Sequence, residues 1–437
     1  MGHSEEPTMV GVVASDSEDL DQLAPPKLEH DEMSLLPWLC VVGSSFYLMT
    51  SFGFMQSIGT IQSYLQLNQL SSYTARDVGW IIGLYQFLGL LLGIQAGPLM
   101  DYYGPRILAP VATAITVAMF FFMAECKKYW QFMLCLGILG GIGAAMASTI
   151  AISTIGKLFV RRRGLAMGVA FVGSSIGGVM FPLVLRHILP ALGWQWALRI
   201  IGFLVLGVMT IGLLCLLPFP LLVTPLSTSQ DKKTPALNFV ALRSPAFVFI
   251  TIGFFLLDFA ITGISGLLPT FATAAGFPAN TGYTLVAVLN ASSCFGRVIP
   301  GMVGDRIGHF DVLLTMIITT SVFTGSMFIP FASKDIRVLF VFAAFWGFGS
   351  GSFVSITPIC VGRTCNPRDV GRYYGTMTFV TSFGALIAVS IGGEMLESIG
   401  STAASALFFA AVVLGGVCFY VARSFIVKRK LVLRARI

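Results

Sequence analysis

The chain has 437 residues, of which 56% are apolar and 11% charged, with a mean hydropathy of +0.85. Soluble domains carry about 25% charged residues, so this chain cannot clothe an aqueous surface of its own size; a soluble enzyme, a nucleic-acid binder and a disordered protein are excluded. The net charge of +7 is uneven: nine acids and one base fall in residues 1–36, while the other bases recur at the ends of apolar runs. That is a pattern of membrane topology, not of a nucleic-acid surface.

In chain order, the acidic segment 1–36 reads as a disordered, solvated cytoplasmic tail or, alternatively, as a regulatory or partner-binding arm. Apolar runs follow at 37–62, 78–100, 107–125, 130–158, 164–191 and 196–220, then at 246–271, 281–303, 312–332, 336–360, 372–396 and 402–423. A hydrocarbon core about 30 Å thick needs roughly 20 such residues per helix, and continuous apolar runs satisfy their backbone in lipid as helices. The expected fold is therefore an all-α integral membrane protein of twelve transmembrane helices. The segment 221–245 reads as a cytoplasmic linker between six-helix halves at 37–220 and 246–423. Residues 424–437 form a basic tail. No cleaved signal peptide is expected, and the first span reads as an uncleaved anchor.

With the N-terminus inside, 19 Lys and Arg residues fall in cytoplasmic segments and 7 in outer loops, with Arg297 left inside a span. This bias predicts a multi-pass cell-membrane protein with both termini cytoplasmic. The eight cysteines are scattered singly, without a CxxC or Cys/His spacing, so neither a disulfide framework nor a metal site is implied. No P-loop or HExxH is present, and no cofactor is expected.

The chain repeats internally. GPLMDYYGPR (97–106) and GMVGDRIGHF (301–310) both fit G-x-x-x-D-x-x-G, 204 residues apart, and Gly168 and Gly177 echo Gly375 and Gly384 at an offset of 207. Two echoes near one offset predict parallel halves, an arrangement of carriers. A two-glycine turn lets helices approach closely, and Asp101 and Asp305 can then sit at helix N-termini or pair with Arg106 or Arg306.

Ionisable residues inside spans mark function by default. Arg297, eight residues before Asp305, lies roughly 12 Å up its helix at 1.5 Å per residue, deep enough to hold a carboxylate bidentately or, alternatively, to snorkel to headgroups. Asp258 in FFLLDFAITG lies near midplane. It can neutralise Arg297, carry a coupling proton, or pack against a neighbouring hydroxyl. The run Arg161–Arg163 reads as a topology determinant.

The paired turns at 97–106 and 301–310 resemble the loop signature of the major facilitator superfamily. GKLFVRRRGLAMGVAFVGSSIGG (156–178), ILGGIGAAMASTIAIST (138–154) and KKYWQF (127–132) resemble its monocarboxylate porter branch, fungal members above all; the resemblance covers residues 36–425. It implies a transporter working by alternating access, with the Asp101, Arg106, Asp305 and Arg306 turns gating the inner side and Arg297 at the substrate-linked arginine position. Three departures stand out. Gln56 occupies the family's span-one lysine position, Ser293 stands where the family often has an aspartate, and DEMSLLPW replaces the acidic-Gly-Gly opening. The resemblance implies a small organic anion or acidic metabolite as substrate; Arg297, Asp258, Gln56 and Ser293 are the candidate substrate-binding residues, with membrane lipid around the bundle and a proton as a candidate partner. Efflux of a secondary metabolite is the direction favoured; a nutrient sensor with a carrier fold and an importer of a short monocarboxylate are the alternatives.

Overall fold

A computed structural model describes residues 32–73, 75–222, 241–331, 334–365 and 370–426. The acidic tail through residue 31, most of the 221–245 linker, and the basic tail from residue 427 lie outside them, as does the side chain of Asp101. Among the described residues, twelve helices are long and apolar enough to cross a membrane. The first four are α1 (35–67), α2 (75–103), α3 (105–125) and α4 (Tyr129–Leu158). A single helical run, Arg163–Leu216, reverses at Gly193 and supplies α5 (163–192) and α6 (194–216). Then come α7 (Pro245–Ala274), α8 (Ala279–Ile307), α9 (His309–Phe331), α10 (Ile336–Gly362), α11 (Val370–Ser398) and α12 (Ser401–Ile426).

An even number of spans brings the start of α1 and the end of α12 to one face, called here the termini face. Large apolar side chains such as Phe203, Phe295 and Ile318 point outward, exposed by 59%, 64% and 64%. Lipid, not water, is the solvent that makes such a surface stable. Glycine sets the helix spacing. A Cβ on Gly173 would collide with the carbonyl oxygen of Ser45, and one on Gly177 with that of Met49, so α1 and α5 touch backbone to backbone. The same holds between α8 and α10, where Gly347 meets Leu289 and Gly296 meets Phe348. Small residues permit this approach, and dispersion between the closely packed helices stabilises it.

The two signature turns differ from an ordinary helix end in one respect. Their second glycines, Gly104 and Gly308, have φ of +67° and +113°, a backbone region that side chains with a Cβ rarely adopt. The sharp reversals from α2 to α3 and from α8 to α9 depend on them.

The repeat is visible in the contacts between α1–α6 and α7–α12. Gly164 of α5 meets the carbonyl oxygen of Gly301 in α8, and its counterpart Gly371 of α11 has its own carbonyl oxygen 2.6 Å from a Cβ built on Gly97 of α2. One turn further on, Gly168 meets the carbonyl oxygen of Arg297, while a Cβ on Gly375 would stand 2.6 Å from that of Gly93. Each position is related to its mate by the offsets 207 or 204. The α5·α8 and α2·α11 pairs therefore close the bundle at the termini face in the same way.

Candidate functional site

Asn290, Ser293 and Arg297 lie at spacings of three and four on α8, which puts them on one face. All three are buried. They look onto Phe171, Ser174, Ser175 and Gly178, one face of α5 in the opposite half of the chain. The Arg297 Nη1 donates to the Phe171 carbonyl oxygen at 2.9 Å, to Ser174 Oγ at 2.8 Å and to Ser175 Oγ. Ser175 and Ser293 hydroxyls stand 3.2 Å apart, and Ser355 of α10 donates to the Arg297 carbonyl oxygen at 3.3 Å. Burying a guanidinium in an apolar bundle is costly unless acceptors surround it, and the acceptors come from α5.

Arg297 also marks where the repeat breaks. Its mate, 204 residues earlier, is Gly93, whose missing Cβ makes room for Thr378 Oγ1 at 2.7 Å. One contact between the halves has a glycine packing against a threonine; the repeat-related contact has a charged fork against two serines.

Gln56 is exposed although it lies mid-helix in α1. Just before it, Met49–Gly53 forms a π-helical segment, with Ser51 Oγ donating to the Tyr47 carbonyl oxygen at 2.9 Å. Such a wide turn shifts the facing of everything that follows it. The Gln56 Oε1 and the Asn290 Oδ1 each lie 3.3 Å from where a Cβ on Gly178 would stand. Gln56 and Ser293 thus belong to the strip that Arg297 terminates. Asp258, on α7, does not pair with Arg297 in this conformation. One of its oxygens is buried without a hydrogen-bond partner among the described residues.

At the termini face Asp305 crosses between the halves. Its Oδ1 accepts from the Gly164 amide and its Oδ2 from the Leu165 amide, both at 2.8 Å, while His309 Nε2 lies 2.9 Å from Oδ1. The first amides of a helix have no intrahelical acceptor and carry partial positive charge, so a carboxylate is a natural partner. Asp305 takes the helix N-terminus, and Arg306 and Arg106 remain exposed.

Sequence reasoning missed two residues here. Glu32, counted with the solvated acidic tail, is 8% exposed and takes the Val160 and Arg161 amides on Oε1 at 2.8 and 2.9 Å and the Arg162 amide on Oε2 at 3.0 Å. Trp38 Nε1 donates to the Glu32 carbonyl oxygen at 3.0 Å, fixing it to the start of α1. Nothing in composition separates Glu32 from the eight acids before it. Arg163 is the second. Arg161 and Arg162 are exposed as a topology signal requires, but Arg163 is buried, donates to the Phe159 and Gly156 carbonyl oxygens, and has its Nη1 2.6 Å from where a Cβ on Gly362 of α10 would stand.

Comparison with known proteins places this architecture. The family described as Major Facilitator Superfamily matches residues 38–333 and 292–434. The aspyridones efflux protein apdF of Emericella nidulans is 33% identical over 422 residues, covering 94% of this chain and 83% of its own. The riboflavin transporter MCH5 of Saccharomyces cerevisiae is 30% identical over 412 residues, covering 89% and 78%. The crystal structure of the human organic anion transporter MFSD10 (TETRAN) superposes with a TM-score of 0.69 at 14% identity over 88% of this chain and 98% of its own, a likeness of fold.

Proposed function

The chain belongs to the Major Facilitator Superfamily and is a membrane transporter, and from that premise we propose that it carries an organic acid or carboxylate-bearing metabolite out of the cell by alternating access. The observation that carries the substrate class is Arg297. It is a buried guanidinium where the repeat-related position is glycine, and its acceptors are hydroxyls and a carbonyl that an incoming carboxylate can replace with bidentate, charge-assisted bonds. Efflux accords with a relative named for the efflux of aspyridones. The monocarboxylate porter branch remains the reading that the 156–178 segment supports.

In this proposal the halves 37–220 and 246–423 rock about the strip between α5 and α8. Both termini are cytoplasmic, as the Lys and Arg bias predicts, and the membrane is the cell membrane. The termini face is then the cytoplasmic gate, held shut here by Asp305 on the α5 amides with Arg106 and Arg306 at the paired turns; Asp101 is its repeat-related partner at the α2–α3 turn. Gln56 and Ser293 line the substrate strip, and Asp258 carries a coupling proton.

The test is transport of radiolabelled aromatic and aliphatic carboxylates in proteoliposomes, with and without a pH gradient. Saturable uptake of at least one acid is expected, lost by about a hundredfold or more in Arg297→Gln, since a buried charged partner is worth 2–5 kcal/mol. Uptake with unchanged affinity in Arg297→Gln removes the anion anchor.

A further inference from the structure

The strip that Arg297 terminates runs along α8 to Asn290. Asn290 lies two turns away on the same face, roughly 10 Å along the axis at 1.5 Å per residue. Its side chain is 2% exposed, and its Oδ1 has no hydrogen-bond partner among the described residues. A buried amide oxygen left without a donor forfeits its hydration with nothing in return. A purely structural asparagine would satisfy that oxygen with a neighbouring helix, as Ser293 does with Ser175 at 3.2 Å.

A second amide faces the same point from the other half of the chain. Gln56 Oε1 and Asn290 Oδ1 are each 3.3 Å from the position a Cβ on Gly178 would take. Three helices, α1, α5 and α8, therefore bring two neutral amides together against the face of a glycine. Nothing charged is among these three residues. The two atoms that meet there are oxygens, both acceptors, so the group that fits between them is an uncharged donor such as a hydroxyl.

We infer that Gln56 and Asn290 form a neutral hydrogen-bonding subsite about 10 Å from Arg297 along α8, and that the transporter selects elongated organic anions with a hydroxyl or similar polar group at the end opposite the carboxylate. This rests on the reading of Arg297 as the anion anchor and extends it to a two-point recognition of the substrate. The two points differ in what they discriminate. Arg297 requires charge, whereas the amides reject a molecule of the same length that leaves them unpaired.

The probes are 4′-hydroxybiphenyl-4-carboxylate and biphenyl-4-carboxylate, equal in shape except for the hydroxyl. Their affinities are measured by competition and direct binding to the purified full-length protein in lipid nanodiscs. The expected wild-type preference for the hydroxylated acid is about tenfold, the worth of one hydrogen bond. In Asn290→Leu and in Gln56→Leu the ratio falls to about one. Gly178→Ala, whose methyl occupies the space between the amides, lowers the ratio too and stands in should Asn290→Leu fold poorly.

Equal affinity of the two acids for the wild type, or a tenfold ratio that survives in all three variants, overturns the amide subsite while leaving Arg297 untouched. Conversely, a tenfold ratio lost in Asn290→Leu but anion binding undiminished in Arg297→Gln removes the anchor and keeps the subsite. Binding of neither acid to the wild type overturns both.

Discussion

Glu32 and Asp305 grip the two sides of one turn. Glu32 takes the amides of residues 160–162 and Asp305 those of residues 164 and 165, so five successive donors around the start of α5, Arg163 apart, are held by two carboxylates from opposite halves of the chain. The two grips differ in what they resist. Glu32 belongs to the half that contains the turn and moves with it, whereas Asp305 must let go when α5 and α8 separate.

Asp305→Asn keeps the shape and removes the charge, and it replaces one acceptor oxygen by an NH2 group that faces an amide donor. The loss expected is about 1–3 kcal/mol, borne by the closed termini face and not by the fold. Ser355, buried and bonded to the Arg297 carbonyl oxygen, reports on that closure. In a background with the native cysteines replaced, Ser355→Cys should react with a membrane-impermeant maleimide added at the termini face at least tenfold faster when Asp305 is Asn. An unchanged labelling rate would remove Asp305 from the gate.

Glu32→Ala removes the acceptor of three hydrogen bonds from backbone amides. It should lower the thermal unfolding midpoint in detergent, by the equivalent of about 1–3 kcal/mol, and leave Ser355→Cys labelling near its starting rate. A labelling increase as large as that of Asp305→Asn would show that Glu32 also takes part in opening.

Gly168 and Gly173 are five residues apart on α5 and separate the same two effects. A methyl on Gly168 collides with the Arg297 carbonyl oxygen across the interface between the halves; one on Gly173 collides with the Ser45 carbonyl oxygen inside a half. Overpacking costs about 1–3 kcal/mol. In Gly168→Ala the halves can relieve it by separating, so folded protein is expected that is open at the termini face and inactive in transport. In Gly173→Ala no rigid-body motion of the halves relieves it, and expression and thermal midpoint should fall instead. Distances between spin labels across the termini face, measured by pulsed electron resonance, distinguish the two.

How far the sequence goes depends on the range of the force that fixes each feature. Spans were legible because lipid imposes a length and a composition on every helix, and α7 (Pro245–Ala274) begins within one residue of the expected 246. The paired turns were legible because positive φ at Gly104 and Gly308 constrains residue type locally. The substrate strip was half legible. Arg297 announces itself by its charge, but its partners Ser174 and Ser175 are ordinary small residues of an apolar helix until α5 and α8 are known to meet. Asn290, a neutral amide, carries no such signal. The aromatic residues are no more legible: Tyr47 and Tyr85 are buried among helices, where Tyr47 bonds Ala109 and Thr113 at 3.1 and 3.0 Å and Tyr85 lies edge-on to Phe54. Aromatic content does not tell a packed ring from a lining one.

Asp258 supplies the last prediction. It lies mid-helix in α7, and one of its oxygens is buried and unpartnered among the described residues. Arg297 is occupied by α5, so the counter-charge role is not the one expressed in this conformation, and proton carriage is the role to test. Asp258→Asn preserves size and cannot gain or lose a proton. In proteoliposomes loaded with the transported acid, an imposed pH gradient should accelerate wild-type net flux severalfold and have no effect on Asp258→Asn, while exchange of labelled for unlabelled acid at equal pH continues in both. A gradient response that survives the substitution would take the proton away from Asp258; loss of exchange together with net flux would place the carboxyl in substrate binding.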